Sequence, residues 1–139
     1  MITKKTEYAI RALWELAHNT DGQATANQIA QRQSIPPKYL PQIISELSRT
    51  GLVNSSRGFG GGLRLGCDSE EISLLDIIMA VQGKPLLFEC QVSQADCSHL
   101  PSCNLRDTYS RAQEALETVF RSTRLSELKL GRESGNDNA

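Results

Sequence analysis

Four glycines fall within six residues in the run Arg57-Gly58-Phe59-Gly60-Gly61-Gly62, and this run constrains the fold more than any other feature. A helix cannot pass through it, because each glycine in a helix interior costs about 1 kcal/mol relative to alanine. On either side stand Leu52-Val53-Asn54-Ser55-Ser56 and Leu63-Arg64-Leu65, two short strand-like segments. The pattern predicts a hairpin with a glycine tip, whose backbone can adopt positive φ and lie close to phosphates. Glycine-rich loops also hold nucleotides, but Gly58 to Gly62 lacks a Gly-Lys-Ser/Thr ending and opens no helix. Nucleotide binding is therefore not expected.

Three helices precede the hairpin. From Lys4 to Ala17 the apolar residues recur at helical spacing, with Thr3 as N-cap and the loop His18 to Gly22 as its end. Thr25 starts a second helix, Ala26 to Gln33, with Ile29 and Ala30 facing inward. After a tight break at Ser34-Ile35-Pro36-Pro37, a third helix is expected from about Pro37 to Arg49, stopped by Gly51. Pro41 lacks a backbone donor, so either this helix starts late or its opening turn is distorted. Two short helices joined by a few residues form a helix-turn-helix, and the hairpin adds a wing. The expected fold class is mainly α with a small β-hairpin wing: a winged helix-turn-helix over residues 1–66, followed by a long C-terminal dimerisation helix.

Charge supports a nucleic-acid partner. Residues 1–64 hold eight basic and four acidic side chains, and the remainder seven basic and twelve acidic, within a net charge of −1. A basic first half joined to an acidic second half fits a DNA-binding part joined to one that does not bind DNA. A third helix in the major groove presents its first side chains to base edges. Lys38, Tyr39 and Gln42 are the candidates there, Gln42 having the donor–acceptor pair that matches adenine. Tyr39 is equally suited to packing. Arg49, with Arg57, Gly58, Gly60 and Arg64 of the wing, are candidates for phosphate or minor-groove contact.

In the second half, Ser73 caps a fourth helix, Leu74 to Val81, closed by Gly83. Residues 67–83 thus form a linking segment. A polar stretch, 84–103, then holds Cys90, Cys97 and ends at Cys103. The last long helix, about Asn104 to Ser122, carries Leu105, Tyr109, Ala112, Leu116, Val119 and Phe120 along one seam, as in paired helices. A short final helix, Leu125 to Leu130, is expected to add Leu125 and Leu128 to that surface, and residues 131–139 to form a disordered tail. Thiolates are soft ligands, but spacings of seven and six positions between these cysteines leave metal, redox pair and coincidence open. Cys67 stands apart and reads as a buried or idle thiol. Only two histidines occur, in unrelated places, with no nucleophile–base set, so an enzyme is not expected. No signal peptide or membrane-length apolar stretch is present, and a cytoplasmic protein is expected.

The stretches Thr3 to Leu13, Tyr39 to Ile43, Gly51-Leu52-Val53, Arg57 to Gly62 and Glu71 to Ile77 resemble the IscR/NsrR-type winged-helix regulators. The cysteine segment and the long helix follow in the same order, so the resemblance spans nearly the whole chain. It implies a homodimer joined through the long helix and bound to a palindromic promoter site on double-stranded DNA. It also implies one iron–sulfur cluster per subunit, 4Fe–4S or 2Fe–2S, on Cys90, Cys97 and Cys103, sensing redox, iron or nitric oxide status. In the IscR branch a histidine three residues past the last cysteine is the fourth ligand; Arg106 stands there and cannot ligate. The NsrR branch uses an acidic residue in the first helix of the other subunit, which matches Glu7; His99, inside this chain's own cysteine segment, is the alternative fourth ligand. Pro41 replaces a glutamate of IscR-like proteins, which implies a different DNA preference. The same fold without a cluster, using thiol oxidation, zinc or a protein partner, is the alternative.

Overall fold

The structure, a computed structural model, describes residues 1–56, 62–87 and 104–131. Arg57, Gly58 and Gly60 of the expected wing tip lie outside the described residues, as do Cys90, Cys97, His99, Cys103 and the tail from 132 onward.

Helix α1 (Lys4–His18) begins where Thr3 Oγ1 accepts a hydrogen bond from the Thr6 amide at 3.2 Å. Its apolar repeat places Ala9, Ala12, Leu13 and Leu16 in the core. Around this helix the rest of the domain is packed. Strand β1 (Gln23–Ala24) follows, and α2 (Ala26–Gln33) opens on a complete capping box between Thr25 and Gln28. Ser34 ends α2 in the left-handed region at φ 54°, turning the chain so that Ile35 is buried.

The third helix is shorter than its sequence pattern. Residues Pro37–Tyr39 form a 3-10 turn, and α3 runs from Leu40 to Arg49. Pro41 is the reason for the split: it stands second in α3, where an amide has no partner inside the helix anyway. The late start, not a distorted turn within α3, accommodates it. Leu40, Ile43 and Leu47 bury the inner side of α3.

The hairpin is one part of a three-stranded antiparallel sheet. Strands β2 (Val53–Ser55) and β3 (Leu63–Leu65) pair in the register Asn54 opposite Arg64, and β1 pairs with the other edge of β3. Val53 and Leu63 turn into the core beside α3 and α1. At the open end of the hairpin the Gly66 amide donates to the Leu52 carbonyl at 2.9 Å. A Cβ on Gly66 would overlap the Gly51 carbonyl oxygen, so this close approach requires glycine.

Helix α4 (Leu74–Val81) opens on a second capping box, Ser73 with Asp76, and closes at Gly83, whose φ is +83°. The Gly83 amide reaches back to the Ile78 carbonyl at 3.2 Å. Helix α5 (Leu105–Ser122) packs against α4. The chain then returns: Leu125 donates to the Ile72 carbonyl at 2.8 Å, and Leu74 to the Thr123 carbonyl at 2.9 Å. The expected final helix is reduced to a 3-10 turn, Leu125–Glu127. Leu125 is fully buried and Leu128 packs on the same core, so both complete their own domain rather than extend the seam of α5.

Candidate nucleic-acid interface

Helix α3 divides by polarity. One side is inside the core; Pro41, Gln42, Ser45, Ser48 and Arg49 are exposed on the other. Positions 42, 45 and 49 are three and four residues apart and therefore share a face. Gln42 Nε2 donates to Glu46 Oε1 at 3.4 Å, and Arg49 stands in the last turn. In the preceding 3-10 turn, Lys38 is exposed, with its Nζ 5.1 Å from the Tyr39 ring centroid. Tyr39 keeps 40% of its surface exposed, yet its ring lies 5.5 Å from that of Tyr8 on α1. It both packs against α1 and reaches the surface.

In the sheet, Arg64 points outward between Leu63 and Leu65. Its guanidinium donates to Gln23 Oε1 at 2.8 Å, so the short strand β1 steadies an exposed cation on the wing. A two-residue strand leaves no alternation to detect, and the side chain of Gln23 gave no sequence signal. Lys5 and Glu46 were also missed: Lys5 Nζ donates to Glu46 Oε1 at 2.9 Å, joining α1 to α3.

Among the expected ligands only Glu7 is described. It is in the first turn of α1, exposed, with its carboxylate 3.3 Å from Lys4 Nζ. Among the described residues no group of three His, Cys, Asp or Glu side chains could hold a metal ion. Cys67 is exposed, which removes the buried alternative of its reading and leaves that of an idle thiol. Local desolvation, then the charges of Glu71, Asp76 and Asp68, push its pKa up, so it resists forming the reactive thiolate. Gln113 of α5 is buried and holds the chain just ahead of Cys90: its Nε2 donates to the Pro85 carbonyl at 2.8 Å and its Oε1 accepts from the Leu87 amide at 3.1 Å. An amide interrupting an apolar stripe was the available sequence clue to this clamp.

A family model described as "Iron-dependent Transcriptional regulator", Rrf2, matches residues 2–129. The chain belongs to the Rrf2 family. A putative HTH-type transcriptional regulator of Haemophilus influenzae is 34% identical over 128 residues, covering 91% of this chain and 85% of that protein. The HTH-type transcriptional regulator IscR of Vibrio campbellii is 35% identical over 123 residues, 85% of this chain and 73% of its own. Among solved structures, CymR, the global cysteine regulator of B. subtilis, superimposes with a TM-score of 0.76 at 30% identity, covering 91% of this chain and 94% of CymR. This Rrf2 member is thus an IscR-like, DNA-binding transcriptional regulator and not an enzyme, as its relatives' names bear out. No described helix is long and apolar enough to cross a membrane.

Proposed function

We propose that this Rrf2 regulator binds a palindromic promoter site as a homodimer and that the cysteine segment makes its DNA affinity depend on a redox, iron or nitric oxide signal. The exposed polar face of α3, with Gln42 and Arg49 opposite the buried Leu40, Ile43 and Leu47, carries the DNA part of this reading. In it, α3 enters the major groove, Lys38, Tyr39 and Gln42 meet base edges, and Arg49, Arg57, Arg64 and the backbone at Gly58 and Gly60 meet the phosphates or minor groove. Such a protein works where the chromosome is, in the cytoplasm. Fluorescence anisotropy with labelled promoter duplexes tests it: affinity should fall steeply between 50 and 200 mM salt. Salt-independent binding, or none, would overturn the reading.

Dimerisation is supported by α5. Leu105 and Val119 are 49% and 60% exposed, and no apolar side chain of this 18-residue helix is fully buried within its own chain. A second copy laid along α5 covers that seam and sets the spacing of the two α3 helices.

For the sensor, three thiolates and one carboxylate form a donor set suited to an iron–sulfur cluster. Cys90, Cys97 and Cys103 of one copy and Glu7 of the other would hold it, and the exposure of Glu7 leaves that carboxylate accessible. Bound there, such a group supplies a redox-labile tie between the copies. Residues of this chain do the rest: α1 presents Glu7, the Gln113 clamp fixes residues 85–87 ahead of Cys90, and α5 carries the change along the dimer. Two states differing in this tie must bind DNA differently for a signal to pass. Anaerobic iron and sulfide counts with a visible spectrum test it; a colourless, iron-free protein after reconstitution overturns it. The likeness to CymR, a cysteine regulator, favours a second reading, in which the same thiols respond without a cluster, by oxidation, zinc or a protein partner.

A further inference from the structure

Glu46 is the one polar side chain on α3 that is drawn inward. Only 15% of its side-chain surface is exposed, and Oε1 accepts both Lys5 Nζ at 2.9 Å and Gln42 Nε2 at 3.4 Å. Its other oxygen, Oε2, is buried and accepts no hydrogen bond among the described residues. The carboxylate is therefore held through a single oxygen, between a cation on α1 and an amide on the outer face of α3.

We infer that Glu46 sets the polarity of the Gln42 amide and thereby its base preference; this rests on the reading of α3 as the DNA-reading helix. An ionised carboxylate only accepts hydrogen bonds, so it favours Gln42 with Nε2 toward it and Oε1 away. Turning the amide over would set its oxygen against the carboxylate oxygen. One N–H of Gln42 is used by Glu46; the second N–H and Oε1 remain, which is the pair that adenine N7 and N6 require. A glutamine free to turn over would tolerate other bases. Lys5 has a separate part: its charge balances a carboxylate that otherwise stands near DNA phosphates, and its reach across from α1 keeps Glu46 in place. Glu46 is thus a positioning residue for Gln42, not a base contact, because its free oxygen is buried.

Selection from randomised duplexes would first give the wild-type site; single base-pair variants of it, measured by competition anisotropy, then give a preference at each position. Wild-type protein should favour adenine by on the order of tenfold at one base pair of each half-site. Gln42→Ala should abolish that preference, and Glu46→Ala should reduce it to about twofold while preferences at other positions hold. Glu46→Gln, which keeps the shape but can also donate, should fall between wild type and Glu46→Ala, and serves if Glu46→Ala melts early by circular dichroism. Lys5→Met should weaken every duplex and also lower the adenine preference, because Glu46 is then no longer held from α1. The inference is overturned alone if Gln42→Ala erases the adenine preference while Glu46→Ala and Glu46→Gln retain it in full. If wild-type protein binds no duplex, the DNA-binding reading falls and takes the inference with it.

Discussion

Gly66 and Ser34 illustrate opposite uses of backbone freedom. At Gly66 the chain crosses the Gly51 carbonyl so closely that a methyl group has no room. Gly66→Ala is expected to destabilise the protein by about 1–3 kcal/mol, read as a lower urea midpoint at unchanged slope. Ser34 has a left-handed backbone at φ 54° without being glycine. Ser34→Gly should therefore raise stability, by about 0.5–1 kcal/mol, in the same measurement; a loss would show that the Ser34 side chain matters to the turn. For Cys67 the prediction concerns pH. Its thiol ionises later in the folded than in the unfolded chain, because desolvation and Glu71, Asp76 and Asp68 disfavour the thiolate. Any stability so gained is complete below the ordinary thiol pKa and declines as pH rises through the higher folded value. Iodoacetamide should label Cys67 more slowly at pH 8 than it labels a free peptide cysteine, and Cys67→Ser should leave any redox response intact. Rapid labelling would contradict this.

Helix boundaries were readable where a side chain marks them. Thr3, Thr25 and Ser73 each accept from an amide three residues on, where the sequence placed caps. Thr25 is exposed whereas Ser73 is 2% exposed, so the two boxes differ in what their loss leaves behind. Thr25→Ala is expected to cost about 1 kcal/mol and Ser73→Ala more, since water reaches the buried position of Ser73 less readily to replace the lost hydroxyl. Urea titrations showing equal losses would contradict that order. Boundaries set by distant partners were not readable. The 3-10 turn before α3 follows from where Pro41 can stand, and β1 exists only because β3 offers an edge to residues 23 and 24. Likewise, Leu125 and Leu128 carry the right apolarity for a helix seam, but the backbone bridge between residues 72–74 and 123–125 turns them into the core. The outer residues of α3 were found from helix periodicity; the Lys5–Glu46 pair behind them joins positions 41 apart and has no local pattern.

As a whole, the molecule keeps its apolar residues around α1 and leaves α5 half covered. If a second copy covers it, Val119→Lys should convert the protein to a monomer by light scattering and lower operator affinity by an order of magnitude or more, with the fold retained by circular dichroism. A dimer that survives this change would place the contact elsewhere. Charge acts at the same scale: Arg49→Gln should weaken binding to all duplexes and reduce the slope of log affinity against log salt by about one per subunit.

The chain contains a single tryptophan, Trp14. Its indole Nε1 donates to the Leu128 carbonyl at 2.9 Å, and its ring stacks on His18 with centroids 4.3 Å apart. The lone strong fluorophore thus sits where the returning C-terminal segment is fastened to the first helix. Its emission is a label-free gauge of that fastening: a red shift on adding duplex or oxidant would report the segment lifting away before any loss of helix.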